Sequence, residues 1–439
     1  MKKLVFSVIL ALISYLVIEV FAYAAYRVKF GEFDLGVLGA QKQKAIESLN
    51  TAGVFLSQEL GDEDVVVKPI LHPYTGWQID GKRRKPGCES EKPEDCYTRI
   101  KVATDKPLEK KAPNKLIVAL LGGSFADGTA SSGEQTLIRN FSRSERFKDY
   151  EVIIYNLAHG GYKQPQQLMH LAYYYALGAE FDFVINLDGF NEVAASYYNY
   201  RESAVHPAFP ASWNFRVASS LNQDFLKLYS DKQQLLSSHA RLASINIKPL
   251  INRSPLANFL WRIINQRFIT KLSAIDHAVA SSKKQDNRDF AYEALGPDYD
   301  FKDWDSFFEY TSTIWRNSSL ALNALAEGQG AKYYHFLQPN QYIDGAKQLS
   351  EWERKNAVLP SGGYGNVYKQ RRDHIVKQVV FLEQSGVSYY DLSYMFKKTP
   401  DTLYVDNCCH LNGKGYDMVV RKIVQTILAE LDSEAALED

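Results

Sequence analysis

A chain of 439 residues exceeds the usual size of one domain, so one large domain with an insertion, or a domain with appendages, is expected. Lys and Arg number 51 against 51 Asp and Glu, a balance that leaves no global field to recruit nucleic acid or an acidic substrate. The 46% apolar fraction supports a substantial core, and 28 Tyr with 23 Phe suit both aromatic packing and aromatic-lined surfaces.

Met1-Lys2-Lys3 precedes an apolar run from Leu4 to Tyr26 that has the length of a membrane-crossing helix and carries a single charge, Glu19. It is longer than the roughly 7–15 apolar residues of a signal peptide, although Ala22-Tyr23-Ala24 resembles a cleavage site. The expectation is an uncleaved signal anchor over residues 1–26, with Lys2 and Lys3 cytoplasmic and everything after Arg27 outside. Arg27 and Lys29, just past the span, run against that orientation.

Residues 27–114 read as a stalk and lead-in loops, with a helical stretch around Gln41–Leu60, a turn-rich lead-in at His72–Trp77 and a charged surface loop from Asp80 to Pro113. Cys88 and Cys96 lie in that loop, where an exported chain permits a disulfide. The other two cysteines, Cys408 and Cys409, are adjacent and would pair only with strain. No CxxC is present and an adjacent pair has poor ligand spacing, so no metal site is expected.

From Lys115 the pattern changes. Lys115–Leu121, Glu151–Asn156 and Phe181–Leu187 are β-branched or aromatic runs of strand length, with a helix over Gln164–Ala176 between the second and third. Lys332–Leu337 and Val387–Leu392 are two later strands, and an amphipathic helix spans Gly415–Leu431. Buried strands joined by helices predict an α/β, doubly wound, flavodoxin-like parallel sheet of about five strands, with its ligand site beyond the carboxyl ends of the strands. Residues 195–330 break that rhythm with helical runs at Asn222–Leu242, Leu256–Lys271 and Asp305–Glu327, and read as a mostly helical insertion that either caps the site or packs on the sheet edge. Asp432–Asp439 is an acidic tail expected to fray.

The chemistry sits at the ends of the strands. Leu121-Gly122-Gly123-Ser124 follows the first strand and opens a helix, which presents a hydroxyl and its own N–H to a substrate. The second strand runs into Asn156-Leu157-Ala158-His159-Gly160-Gly161-Tyr162 and the third into Asp188-Gly189-Phe190-Asn191-Glu192. Near the C-terminus, Asp406-Asn407-Cys408-Cys409-His410-Leu411-Asn412 offers an acid and a base before a Gly413-Lys414-Gly415 turn. A nucleophile, a proton acceptor, an orienting carboxylate and oxyanion donors are what acyl transfer requires.

In these four blocks the chain resembles the SGNH (GDSL-like) hydrolase superfamily, over residues 115–192 and 332–431. The resemblance implies Ser124 as nucleophile, His410 as base, and an oxyanion hole made by the N–H groups of Ser124 and Gly161 with the Asn191 amide; it implies no cofactor and no metal. The superfamily's acid usually stands three residues before the histidine, which here is Asn407, so the role is assigned to Asp406 with one extra residue in the loop. His159 is a rival base, and the remaining histidines, among them His72, His170, His335 and His374, are scattered. The domain reading is then an anchor (1–26), stalk and lead-in (27–114), hydrolase domain (115–431) and tail (432–439). The implied activity is ester hydrolysis outside the cytoplasm, with an O-acylated, often O-acetylated, carbohydrate as substrate and Tyr197, Tyr198 and Tyr200 as rings for sugar stacking or for the core. An O-acyltransferase and a non-catalytic polymer-binding module are the alternatives.

Overall fold

The computed structural model describes residues 2–51, 65–84, 97–101, 108–217, 223–282, 288–297 and 299–438. Its strands are β1 Val65–His72, β2 Gly76–Arg84, β3 Tyr97–Lys101, β4 Lys115–Gly122, β5 Glu151–Asn156, β6 Phe183–Asp188, β7 Lys332–Leu337 and β8 Ser388–Asp391. The chain divides into two compact units, Met1–Leu56 with Val217–Ala291, and Ser57–Arg216 with Tyr292–Asp439.

In the second unit, five strands form one parallel sheet in the order β5-β4-β6-β7-β8, which is the flavodoxin-like order. The chain steps from β4 to one side and then returns across it to β6. Right-handed crossovers therefore put the Ser124–Ser142 helix and the Gln166–Ala176 helix on opposite faces. The contacts agree: Gly413–Glu438 packs on Ser124–Ser142, while Trp304–Gly328 packs on Gln166–Ala176 and β7. A sheet covered on both faces calls for continuously apolar strands, and every residue from Leu116 to Leu121 is buried, as is every residue of β6.

β1, β2 and β3 make a separate antiparallel sheet. The stretch from Asp80, read as a loop, thus runs as strand to Arg84 and again over Tyr97–Lys101. The reason is register. The turn that pairs His72 with Gly76 lays the charged Lys82 and Arg83 opposite Val66 and Val65, and β-branched residues favour the pleated ladder. Cys88 and Cys96 fall outside the described residues. The tail also differs from expectation. The last helix continues to Glu438 instead of fraying, because Ala435, Ala436 and Leu437 are strong helix formers and Glu434 pairs with Lys332.

The first unit is helical, with Lys2–Phe30, Leu35–Thr51, Gln223–Asn246 and Pro255–Ser282 as its long members. Tyr26, Leu38, Ala45, Ala243 and Trp261 form its small core. Glu19, the lone charge of the apolar run, caps the Pro255–Ser282 helix: its carboxylate accepts from the Ser254 hydroxyl at 2.6 Å and the Leu256 N–H at 2.9 Å. The predicted N-terminal span is one helix, but among the described residues no helix is long and apolar enough to cross a membrane.

Of the predicted insertion 195–330, the Trp304–Gly328 helix belongs to the sheet layers, whereas residues 217–291 belong to the helical unit.

Candidate active site

β4 and β6 are neighbours at the point where strand order reverses, and both deliver their next residues to the same rim. Gly122 ends β4 at a φ of 146°, and a Cβ there would stand 2.2 Å from the Leu187 carbonyl oxygen, so only glycine lets the chain turn against β6. Gly123 caps the following helix, which makes Ser124 its first residue, half-buried and at the positive end of the helix dipole.

His410 lies on a loop closed by a bridge between Tyr404 and Leu411. Its Nε2 accepts from the Ser124 hydroxyl at 2.8 Å, and its Nδ1–H donates to Asp406 Oδ2 at 2.5 Å. The other carboxylate oxygen, Oδ1, accepts the N–H groups of Cys408, Cys409 and His410 at 3.0, 3.1 and 3.1 Å. Asp406 therefore shapes the loop and orients the ring at once. A spacing of four residues works because three amide N–H groups wrap around the carboxylate and bring the imidazole back to it. Asn407, at the superfamily's usual acid position, is not the partner of His410 Nδ1.

Burial opposes a charge on His410. The hydrogen bond of Asp406, the neighbouring Cys408 and the charge of Asp406 together outweigh it, with Asp127 adding least, and the imidazole pKa is pushed up to about 9. Burial also opposes the charge of Asp406, and the bond to His410 outweighs it, which holds the carboxyl below its ordinary range.

The other two blocks meet beside Ser124. Asn191, the second residue of the Phe190–Ser203 helix after β6, donates from its amide to the Tyr162 carbonyl at 2.8 Å. A Cβ on Gly123 would stand 2.3 Å from that amide nitrogen and 3.1 Å from the Tyr162 oxygen, so glycine is required for the three loops to close. Gly161, at a φ of 81°, directly precedes Tyr162. Ser124, Gly161, Asn191, His410 and Asp406 are thereby drawn to one rim. His159 is not among them in role: its buried ring lies against Trp77, Tyr162 and His170.

Several residues support the site in ways the sequence did not assign to them. Asn340 and Gln341, just past β7, donate to the carbonyls of Cys408 and Asp406 at 3.1 and 2.9 Å, and pin the histidine loop. The buried Glu353 accepts the N–H groups of Leu403 and Tyr404 and pairs with Lys347 at 2.7 Å. The His72–Trp77 turn braces the Gly161 loop: Tyr162 Oη donates to the Trp77 carbonyl at 2.5 Å, and the Arg216 guanidinium sits 3.7 Å from the Trp77 ring centre. Glu192 accepts the N–H groups of Gln164 and Gly189, both at 2.9 Å, which ties the second block to the third. Burial and the charge of Asp188 push its carboxyl up to about 8. Tyr197, Tyr198 and Tyr200 pack on Phe308, Tyr364 and Phe307 respectively.

A second serine, histidine and aspartate also stand in series. Ser319 Oγ is 2.7 Å from His335 Nδ1, and His335 Nε2 is 2.9 Å from Asp188 Oδ1. All three are at most 2% exposed. Burial opposes the charge on Asp188, and His335, Trp315 and Asn186 outweigh it, holding the carboxyl below its ordinary range.

No protein-family model matches the chain, and no curated protein matches it. Among solved structures it is similar to a proposed acylhydrolase from Bacteroides fragilis, at 11% identity over 75% of this chain and 93% of that one. The TM-score of that likeness is 0.34.

Proposed function

We propose that the chain is a serine ester hydrolase of the SGNH kind. The observation that carries this is the pair of hydrogen bonds in series at His410, 2.8 Å to Ser124 and 2.5 Å to Asp406, at a half-buried serine on a helix N-terminus. His410 takes the Ser124 proton as Oγ attacks the ester carbonyl. The N–H groups of Ser124 and Gly161 and the remaining N–H of the Asn191 amide receive the oxyanion. The tetrahedral adduct collapses as His410 hands its proton to the leaving alkoxide, and water, deprotonated by the same imidazole, releases the acyl group. Hydrolysis of p-nitrophenyl acetate by wild type and by Ser124→Ala tests the reading; equal rates would refute it.

The finer reading is an extracytoplasmic enzyme tethered through residues 1–26 and acting on O-acyl, foremost O-acetyl, esters of envelope or secreted carbohydrate. Its supports are the dilysine ahead of the Leu4–Tyr26 run and the exposure of Phe6, Leu16, Val20 and Phe21 along that helix. Acetate release from acetylated oligosaccharides, and retention of the full chain in washed membranes, check its two halves. Neither activity on acetylated sugars nor membrane retention would leave only the esterase.

A further inference from the structure

The adjacent cysteines beside the base have no part in that mechanism. We propose that Cys408, Cys409 and His410 form an inhibitory site for a soft divalent cation such as Zn2+ or Cd2+. Binding itself is independent of the hydrolase reading; the inhibitory effect rests on it.

Spacing in sequence argued against a metal, but the fold supplies what adjacency lacks. The two Sγ atoms lie 3.4 Å apart, and one ligand atom from each of Cys408, Cys409 and His410 falls within 4.8 Å of the others. Two thiolates about 2.3 Å from a tetrahedral zinc lie roughly 3.8 Å apart, so the sulfurs need to open by only a few tenths of an ångström. The competing use of the pair, a disulfide, needs far more. Cα atoms across a trans peptide stand about 3.8 Å apart, short of the roughly 4.4–6.8 Å that disulfides span, and the sulfurs would have to close to about 2.0 Å. Both cysteines are free.

Soft thiolates select soft cations, and an imidazole completes a three-ligand set of the kind that leaves a fourth position to solvent. As the two sulfur–metal bonds form, the two thiol protons leave to solvent. The relay uses both imidazole nitrogens, and the cation takes one of them. A cation on Nε2 displaces Ser124, and one on Nδ1 displaces Asp406. Asp406 and Asn340 hold the loop backbone from both sides, so the ligands meet the cation already gathered.

The test uses the full chain and Cd2+ alone. Uptake is read by thiolate-to-cadmium absorbance and by stoichiometry after dialysis, with fluorophosphonate labelling followed in parallel. The expected result is one Cd2+ per chain, labelling blocked by Cd2+ and restored by chelator. Cys408→Ser and Cys409→Ala should each weaken uptake by more than the roughly 10–100-fold that losing a ligand's outer partner costs, yet label normally in chelator. Cys408 is half-buried, so its serine variant stands as the test if the core position Cys409 tolerates no change. A wild-type chain that labels but takes up no Cd2+, or loses no affinity in either variant, overturns the site and leaves the hydrolase reading intact. Full Cd2+ occupancy with undiminished labelling overturns the inhibitory role. Uptake that depends on the cysteines, in a chain that never labels, supports the cation site while refuting the hydrolase.

Discussion

Ser124–His410–Asp406 and Ser319–His335–Asp188 are nearly the same arrangement of atoms in two settings. Each runs hydroxyl, imidazole and carboxylate in series with both links between 2.5 and 2.9 Å. They differ in access. The first stands half-buried at the strand rim, with Asn191 and the Gly161 loop beside its serine; the second lies between the Trp304–Gly328 helix and the sheet, with its serine and histidine fully buried. They differ also in how the carboxylate is satisfied. Asp406 faces the imidazole with one oxygen and three loop amides with the other, whereas Asp188 is surrounded by Trp315, His335, Asn186 and Gln164 at 2.7, 2.9, 2.9 and 3.1 Å. On the proposed reading the same hydrogen bonds serve proton transfer in one place and packing in the other, and exposure beside Asn191 and the Gly161 loop decides which.

The comparison breaks most sharply at the serines. Ser124→Ala should lower kcat by about 10⁶-fold, as loss of a nucleophile does elsewhere, while Ser319→Ala should leave kcat within about twofold and cost about 1–3 kcal/mol of stability, because the buried His335 Nδ1 loses its partner. Parallel ester assays and thermal melts check both, and a comparable loss of kcat at Ser319 would erase the distinction.

Next come the carboxylates. Asp406→Asn should lower kcat by roughly 10⁴-fold and move the acid limb of the rate. In wild type His410 is raised to about 9, so the reactive neutral ring is scarce below that pH and kcat/KM should climb with pH toward an inflection near it. Without the Asp406 charge burial dominates, and the inflection should shift to lower pH. A pH profile in chelating buffer reads this; an unmoved limb would detach Asp406 from the base.

Asn191→Ala should lower kcat about 10²–10³-fold, roughly 3 kcal/mol of transition-state stabilisation, with KM little changed. The smallest effect on chemistry is expected at the buried set. His335→Ala takes one of the four partners from the buried Asp188, leaving Trp315, Asn186 and Gln164, and should cost about 1–3 kcal/mol of stability, read as a lowered Tm, while the folded fraction keeps its kcat.

The five parallel strands were legible because each is a short β-branched or aromatic run with its own turn, and the inner β4, β6 and β7, buried on both faces, leave the clearest mark. The blocks around Ser124, Gly161, Asn191 and His410 were legible because small residues cluster where chain must turn tightly at a strand end. The β1–β3 sheet was not, since Lys82, Arg83 and Arg84 read as loop until paired with Val65 and its neighbours. Asn340, Gln341 and Glu353 were invisible for another reason: each acts on backbone groups more than 45 residues away, as Glu353 does on Leu403, and no local pattern records such a partner. The buried Ser319–His335–Asp188 set was missed likewise, its members being drawn from one helix and two strands.

Treating the full chain with a fluorophosphonate and locating the adduct by peptide mass spectrometry weighs the two serines directly against each other. The account predicts a single modified residue, Ser124, with Ser319 untouched and no adduct in Ser124→Ala. A chain that stays unmodified, or an adduct carried elsewhere while Ser124 remains free, would contradict it.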